Sequence, residues 1–141
     1  GAGREDVNVS CRGGSRVEIK GVSHNLWIPA LSHNEAFRQY ALLNIRTLLN
    51  KAVPDRKSWK IETREITFSD STLLSGEIKE ALDKDYRVIA IRLPECKGIL
   101  SHFTQPGHNF ASEFINRLKV IACIEKPNLM YSEDPGDTGN E

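Results

Sequence analysis

No stretch of this 141-residue chain is apolar over the roughly 20 residues that a membrane-crossing helix requires. Its opening, GAGREDVNVS, also lacks the layout of a secretory signal. The expected location is therefore cytoplasmic. Cysteine is scarce. Cys11, Cys96 and Cys123 are odd in number and scattered, which fits neither a disulfide framework nor zinc-site spacing, so they read as reduced and mostly buried thiols. There is no Gly-x-x-x-x-Gly-Lys phosphate loop, no His-Glu-x-x-His and no Gly-x-Ser-x-Gly. The four histidines, His24, His33, His102 and His108, have no ligand spacing and read as surface or hydrogen-bonding groups. Trp27 and Trp59 read as packing residues at module edges. No internal repeat or low-complexity segment is found.

Overall charge is absent too, with 19 Lys and Arg against 19 Asp and Glu. The balance hides an asymmetry: residues 1–60 hold ten basic against five acidic side chains, and residues 61–141 hold nine against fourteen, so the halves carry +5 and −5. That split suggests two modules, the basic one suited to a phosphorylated partner. The 39% apolar and 27% charged content is that of a soluble globular chain able to build a core, as one ordinary domain or two small ones.

What is present begins with a hairpin pattern, DVNVSCRGGSRVEIKG. Side chains alternate along a strand, so Val7, Val9 and Cys11 share one face, and Val17 and Ile19 share it on the second strand. Asp6, Asn8, Ser10, Arg12, Arg16, Glu18 and Lys20 make the other face. A three-residue turn at Gly13-Gly14-Ser15 would pair Arg12 with Arg16, Ser10 with Glu18 and Asn8 with Lys20. Two arginines directly opposite favour a nearby anion. Next, SHNEAFRQYALLNIRTLLNKA repeats Phe37, Ala41, Ile45, Leu48 and Ala52 at helical spacing, with Ser32 and Glu35 at capping-box distance. Pro54 ends this helix, and residues 54–59 read as a linker.

The second half offers a strand at KIETREITF and a helix within STLLSGEIKEALDKD, where Lys79 with Asp83 and Glu80 with Lys84 stand four apart. YRVIAIRL, apolar on both faces, reads as a central strand. ECKGILSHFTQPGHN reads as a loop, and FASEFINRLKVIACIEK as a helix with a Phe110, Phe114, Leu118, Ile121 stripe centred on Phe114. A short strand, NLMYS, and an acidic mobile tail at 135–141 complete the chain. The expected fold class is α+β: an N-terminal β-hairpin plus helix, then a two-layer unit with a small mixed or antiparallel sheet packed on two helices.

Spacing alone leaves several chemistries open for the hairpin. Asp6 on one strand with Glu18-Ile19-Lys20 on the next has the form of a self-contained divalent-metal nuclease, in which carboxylates hold a cation that orients a water. The same row also suits the solvated face of an edge hairpin, or a stand-alone protein-interaction module.

REDVNVS, the Gly-Gly turn, VEIKGV and NEAFRQYALLNIR closely resemble the late part of the catalytic cradle domain in the B/E family of tRNA-dependent amidotransferase subunits, the archaeal E-type being nearer than the bacterial B-type because of EIKGV. SGEIKEAL, VIAIRLPECKGIL, PGHNFASEFINRLKV and NLMYSED follow the order of the GAD domain, a module shared with bacterial aspartyl-tRNA synthetase. ACIEKPN and HNFASEF depart from that module's usual glycine-rich and small-residue stretches. The resemblance divides the chain into the C-terminal part of a cradle at 1–53, the linker at 54–59, a GAD domain at 60–134 and the tail.

It implies a specific chemistry. The family's cradle uses ATP and Mg to phosphorylate the side-chain carboxylate of Glu misacylated onto tRNA(Gln), or Asp onto tRNA(Asn). Ammonia from a glutamine- or asparagine-hydrolysing amidase subunit then displaces the phosphate. By this resemblance Asp6, Asn8, Ser10, Glu18 and Lys20 line the cradle: Lys20 offsets phosphate charge, Asn8 and Ser10 position substrate, and Asp6 or Glu18 stands behind the cation's own ligands. No residue here is assigned as a metal ligand, since the strands supplying those ligands are missing by this comparison. The chain is then an excerpt of a ligase of translation, itself inactive, whose strand edge in residues 1–30 invites pairing into a homodimer.

Overall fold

A computed structural model describes residues 3–73, 76–123 and 129–133. The fold is α+β. In order, it consists of β1 (Glu5–Val9), β2 (Val17–Val22), a 3-10 turn (Asn25–Trp27), α1 (Ile28–Ala52), β3 (Glu62–Ile66), a second 3-10 segment (Phe68–Leu73), α2 (Gly76–Asp83), β4 (Val88–Arg92), β5 (Phe103–Gln105), β6 (His108–Asn109) and α3 (Phe110–Ala122). Among the described residues the strands form three separate antiparallel pairs, β1 with β2, β3 with β4, and β5 with β6.

The long helix α1 organises the molecule. It begins at Ile28, four residues before Ser32, so the expected capping box does not form. Pro29 accounts for this: its fixed φ and missing N–H suit a first helical turn, and the 3-10 turn feeds directly into it. Glu35, freed from capping, instead accepts hydrogen bonds from Arg38 and Gln39. The helix ends at Val53, whose N–H reaches the Leu49 carbonyl at 2.8 Å just before Pro54. Ala41 and Ile45 are buried as the apolar spacing requires, whereas Phe37 and Leu48 keep exposed edges. β1 lies against α1, with Val9 and Val22 buried, and β5 also runs beside α1, where Phe37 and Phe103 meet edge to face at 5.5 Å.

The core continues where the sequence suggested only a loop. Residues 95–109 contain the β5–β6 hairpin, turned at Pro106-Gly107, and bury Ile99 and Thr104 beside Ala111 of α3. The N–H groups of Phe110 and Ala111 donate to the carbonyls of His102 and Leu100, both at 2.9 Å, and tie α3 to this hairpin. Asn109 caps α3: its side chain accepts from the Ser112 N–H at 3.1 Å, while the Ser112 hydroxyl reaches back to the Asn109 N–H. The Asn109 amide donates in turn to the Tyr131 hydroxyl at 2.6 Å.

Elsewhere the structure corrects the sequence reading. β4 is not a central strand; it pairs only with β3 among the described residues, and Ile89 and Ile91 stay 51% and 56% exposed. Phe114 is likewise 45% exposed and Ile121 69%, because α3 packs most tightly through Ala111 in its first turn, Leu118 being half-buried. α2 lies along β4, and Lys84 pairs with Glu80 at 2.5 Å; Lys79 and Asp83 form no ion pair among the described residues. The cysteines are free as expected, but Cys123 is exposed and the other two are only partly buried, burial pushing the Cys96 thiol up. Trp27 is mostly exposed beside His24, while Trp59 packs and donates its indole N–H to the Pro94 carbonyl at 2.9 Å. Leu129 to Ser132 form no strand among the described residues; Asn128 and the acidic tail lie outside them.

Candidate functional site

The β1–β2 hairpin separates its residues by face, as alternation dictates. Val7, Val9, Val17 and Ile19 are buried or half-buried on the α1 side, and Asp6, Asn8, Ser10, Glu18 and Lys20 are all exposed. Register differs from the expectation by two residues. Val9 stands opposite Val17, Asn8 opposite Glu18 and Val7 opposite Ile19, so Arg12 and Arg16 lie in the connecting loop and do not confront each other. The loop is long because α1 holds it from below. Gly14 sits so close that an added Cβ would lie 2.5 Å from the Gln39 Oε1 atom, and the Gly14 N–H donates to the Cys11 carbonyl at 3.0 Å.

A bulge closes the other end. Pairing passes from Val7 with Ile19 to Glu5 with Val22, leaving Lys20 and Gly21 opposite Asp6 alone. Gly21 adopts a φ of 72°, a conformation glycine takes without steric cost. Its N–H, turned out of the ladder, donates to Asp6 Oδ1 at 3.1 Å. Beyond the bulge the alternation inverts, which is why even-numbered Val22 points inward and is 6% exposed.

Among the five candidate residues, two direct relationships result. Lys20 Nζ is 3.4 Å from Glu18 Oε2, and Asn8 is the cross-strand neighbour of Glu18, so a carboxylate, an ammonium and a carboxamide share one patch. Asp6 is held one step along by the Gly21 amide. Ser10 falls just past the ladder, at the start of the loop. The patch offers hydrogen-bond donors and an ammonium to an anionic group. Asp6 accepts from a backbone N–H and Glu18 pairs with Lys20, and among the described residues no three His, Cys, Asp or Glu side chains gather as metal ligands.

Sequence reasoning missed the residue that supports this patch. Gln39, buried on α1, accepts from the Cys11 N–H at 3.1 Å and donates to the Val9 carbonyl at 3.2 Å and to Glu35 at 3.0 Å. These bonds satisfy backbone groups at the end of β1 that would otherwise be buried unpaired. A glutamine in a helix carries no local sign of such a partner. Its position between Glu35 and Ala41, on the side that packs, was the one available signal.

No family model matches the chain. Curated proteins do. The chain is 38% identical over 136 residues to the E subunit of glutamyl-tRNA(Gln) amidotransferase from Pyrococcus abyssi, an alignment that covers 93% of this chain and 22% of that protein. With the corresponding protein of Aeropyrum pernix the identity is 38% over 146 residues, and with that of Caldivirga maquilingensis 34% over 137 residues; these cover 98% and 96% of the chain and 22% of each relative. The chain thus spans about a fifth of the length of these relatives.

Proposed function

We propose, from the premise that the chain is related to one segment of the glutamyl-tRNA(Gln) amidotransferase E subunit, that it is part of a tRNA-dependent amidotransferase acting on Glu misacylated onto tRNA(Gln). The similarity along nearly the whole chain is the observation that carries this reading. In it, residues 1–53 close the cradle in which the side-chain carboxylate is activated, and residues 60–134 form a GAD domain. ATP with Mg would supply the activating phosphoryl group. Ammonia would come from a partner amidase, and the reaction would take place in the cytoplasm. Among the described residues no helix is long and apolar enough to cross a membrane.

The hairpin's geometry supports a part for it in this chemistry. Phosphoryl transfer relies on placed donors and cations more than on covalent chemistry by the protein. The Lys20 ammonium, held toward Glu18, would offset charge on the phosphate or acyl phosphate. Asn8 would orient the substrate carboxylate beside it, with Ser10 at the loop end, and the Gly21 amide would fix Asp6 in place. As a segment aligned with about a fifth of the E subunit, this chain by itself is expected to be inactive.

The test uses the complete protein that contains this segment, with its amidase partner, ATP and misacylated tRNA. Lys20→Ala should lower amide formation by roughly a hundredfold with thermal stability little changed. Turnover at the unsubstituted rate would reduce the even-numbered row to a solvated strand face.

A further inference from the structure

Between α1, the segment 93–100 and the start of α3 runs an open groove of about 480 Å³. Its floor is apolar: Leu42, Ile45 and Leu49 come from α1, Ile99 and Leu100 from the segment, and Phe114 from α3. None of these belongs to the hairpin, and the groove plays no part in the amidotransferase reading. Its charged lining residues are Arg46 and Arg56. Neither forms an ion pair among the described residues; Arg56 has only a hydrogen bond to Asn50 Oδ1, which holds it at the rim. Of the carboxylates nearby, Glu113 is engaged with Arg38 and Asp55 accepts from the Lys57 N–H, while Glu95 flanks the groove beside Cys96.

We propose that this groove receives an acidic amphipathic helix of another protein. Apolar floor and basic rim together define that occupant: an apolar stripe at i, i+3, i+4 and i+7 fills the floor, and flanking Asp or Glu meets the two guanidiniums. Length fits as well. From Leu42 to Val53 the α1 wall runs about 16 Å, or three helical turns, at 1.5 Å per residue.

Trp59 lines the groove and reports on its occupancy. In the whole chain carrying Trp27→Phe, a capped 14-residue helical peptide with the leucine stripe and flanking glutamates should produce a saturable change in Trp59 emission. Affinity should fall at least about tenfold in the exposed double variant Arg46→Glu, Arg56→Glu, and weaken as salt is added. The double variant should regain binding to the same peptide with lysines in place of the glutamates. Absence of saturable binding overturns the proposal, as does equal affinity of the unsubstituted chain for the glutamate and lysine peptides. Concentration-dependent self-association abolished by Leu49→Glu would also overturn it, assigning the groove to a second copy of the chain.

Discussion

Arg38 on α1 grips Glu113 on α3 with two parallel bonds, Nε to Oε1 at 2.8 Å and Nη2 to Oε2 at 2.9 Å. The third arm of the guanidinium, Nη1, reaches Glu35. The fork geometry matches a carboxylate in a way no lysine could, and the bond with Glu113 raises the Arg38 pKa further above its ordinary value. The pair joins parts of the chain 75 residues apart, on opposite sides of the 54–59 linker. Arg38→Ala should therefore cost about 1–3 kcal/mol, since it strands a largely buried carboxylate. Arg38→Lys should recover only part of that loss. Urea denaturation of the two variants and of Glu113→Gln, combined in a double-mutant cycle, measures the coupling.

Gln39 should matter to the hairpin more than any of its own polar side chains. Gln39→Leu keeps the volume but leaves the Cys11 N–H and the Val9 carbonyl without their partners. A loss of about 1–3 kcal/mol is expected. Hydrogen exchange at the Cys11 amide should speed up while exchange in α3 stays unchanged. Uniform acceleration through the chain would place Gln39 in the global core and not in local support of the patch.

What could be read from the sequence was set by the reach of each signal. Period-two alternation correctly turned Val7, Val9, Val17 and Ile19 inward and the candidate residues outward, because that pattern is local. Register escaped it. The pairing of Asn8 with Glu18 goes with Gln39 holding the loop, which leaves no mark within a few residues, whereas the bulge is marked by Gly21, an isolated glycine inside a strand. The core at Ile99, Thr104 and Ala111 was hidden for a related reason: strands of three and two residues are too short to display a period. In β4 the apolar composition was real, but composition cannot reveal whether another strand lies alongside.

Phe114 provides a quantitative check on this last distinction. At the centre of a fully buried stripe, truncation to alanine would cost about 3–5 kcal/mol. With the residue 45% exposed and its ring touching Phe110 edge to face at 5.3 Å, Phe114→Ala should cost only about 1–2 kcal/mol. Ala111→Leu, at a site with 1% exposure, should be the more damaging change despite adding apolar surface, because the added atoms have no space. Thermal melts of the two variants decide the order, and a larger loss for Phe114→Ala would mean that α3 packs through its stripe after all.

Glu133 should make stability depend on pH in one direction only. Its carboxylate accepts from the Gly98 N–H at 2.6 Å and from the Ser101 hydroxyl at 2.9 Å, and the Gly98 bond is the main reason its pKa lies below the usual carboxylate range. Because the folded-state value is the lower one, the contribution is complete above the unfolded pKa and is lost as pH falls through the folded one. Glu133→Gln should accordingly lower the melting temperature at neutral pH, and the gap from the unsubstituted chain should close as the solution is acidified below the ordinary glutamate range. Gly98, at a φ of 76°, cannot readily turn its N–H elsewhere, so the loss should appear locally as faster exchange of the Gly98 amide. A gap that persists unchanged into strong acid would show that Glu133 acts through packing and not through its charge.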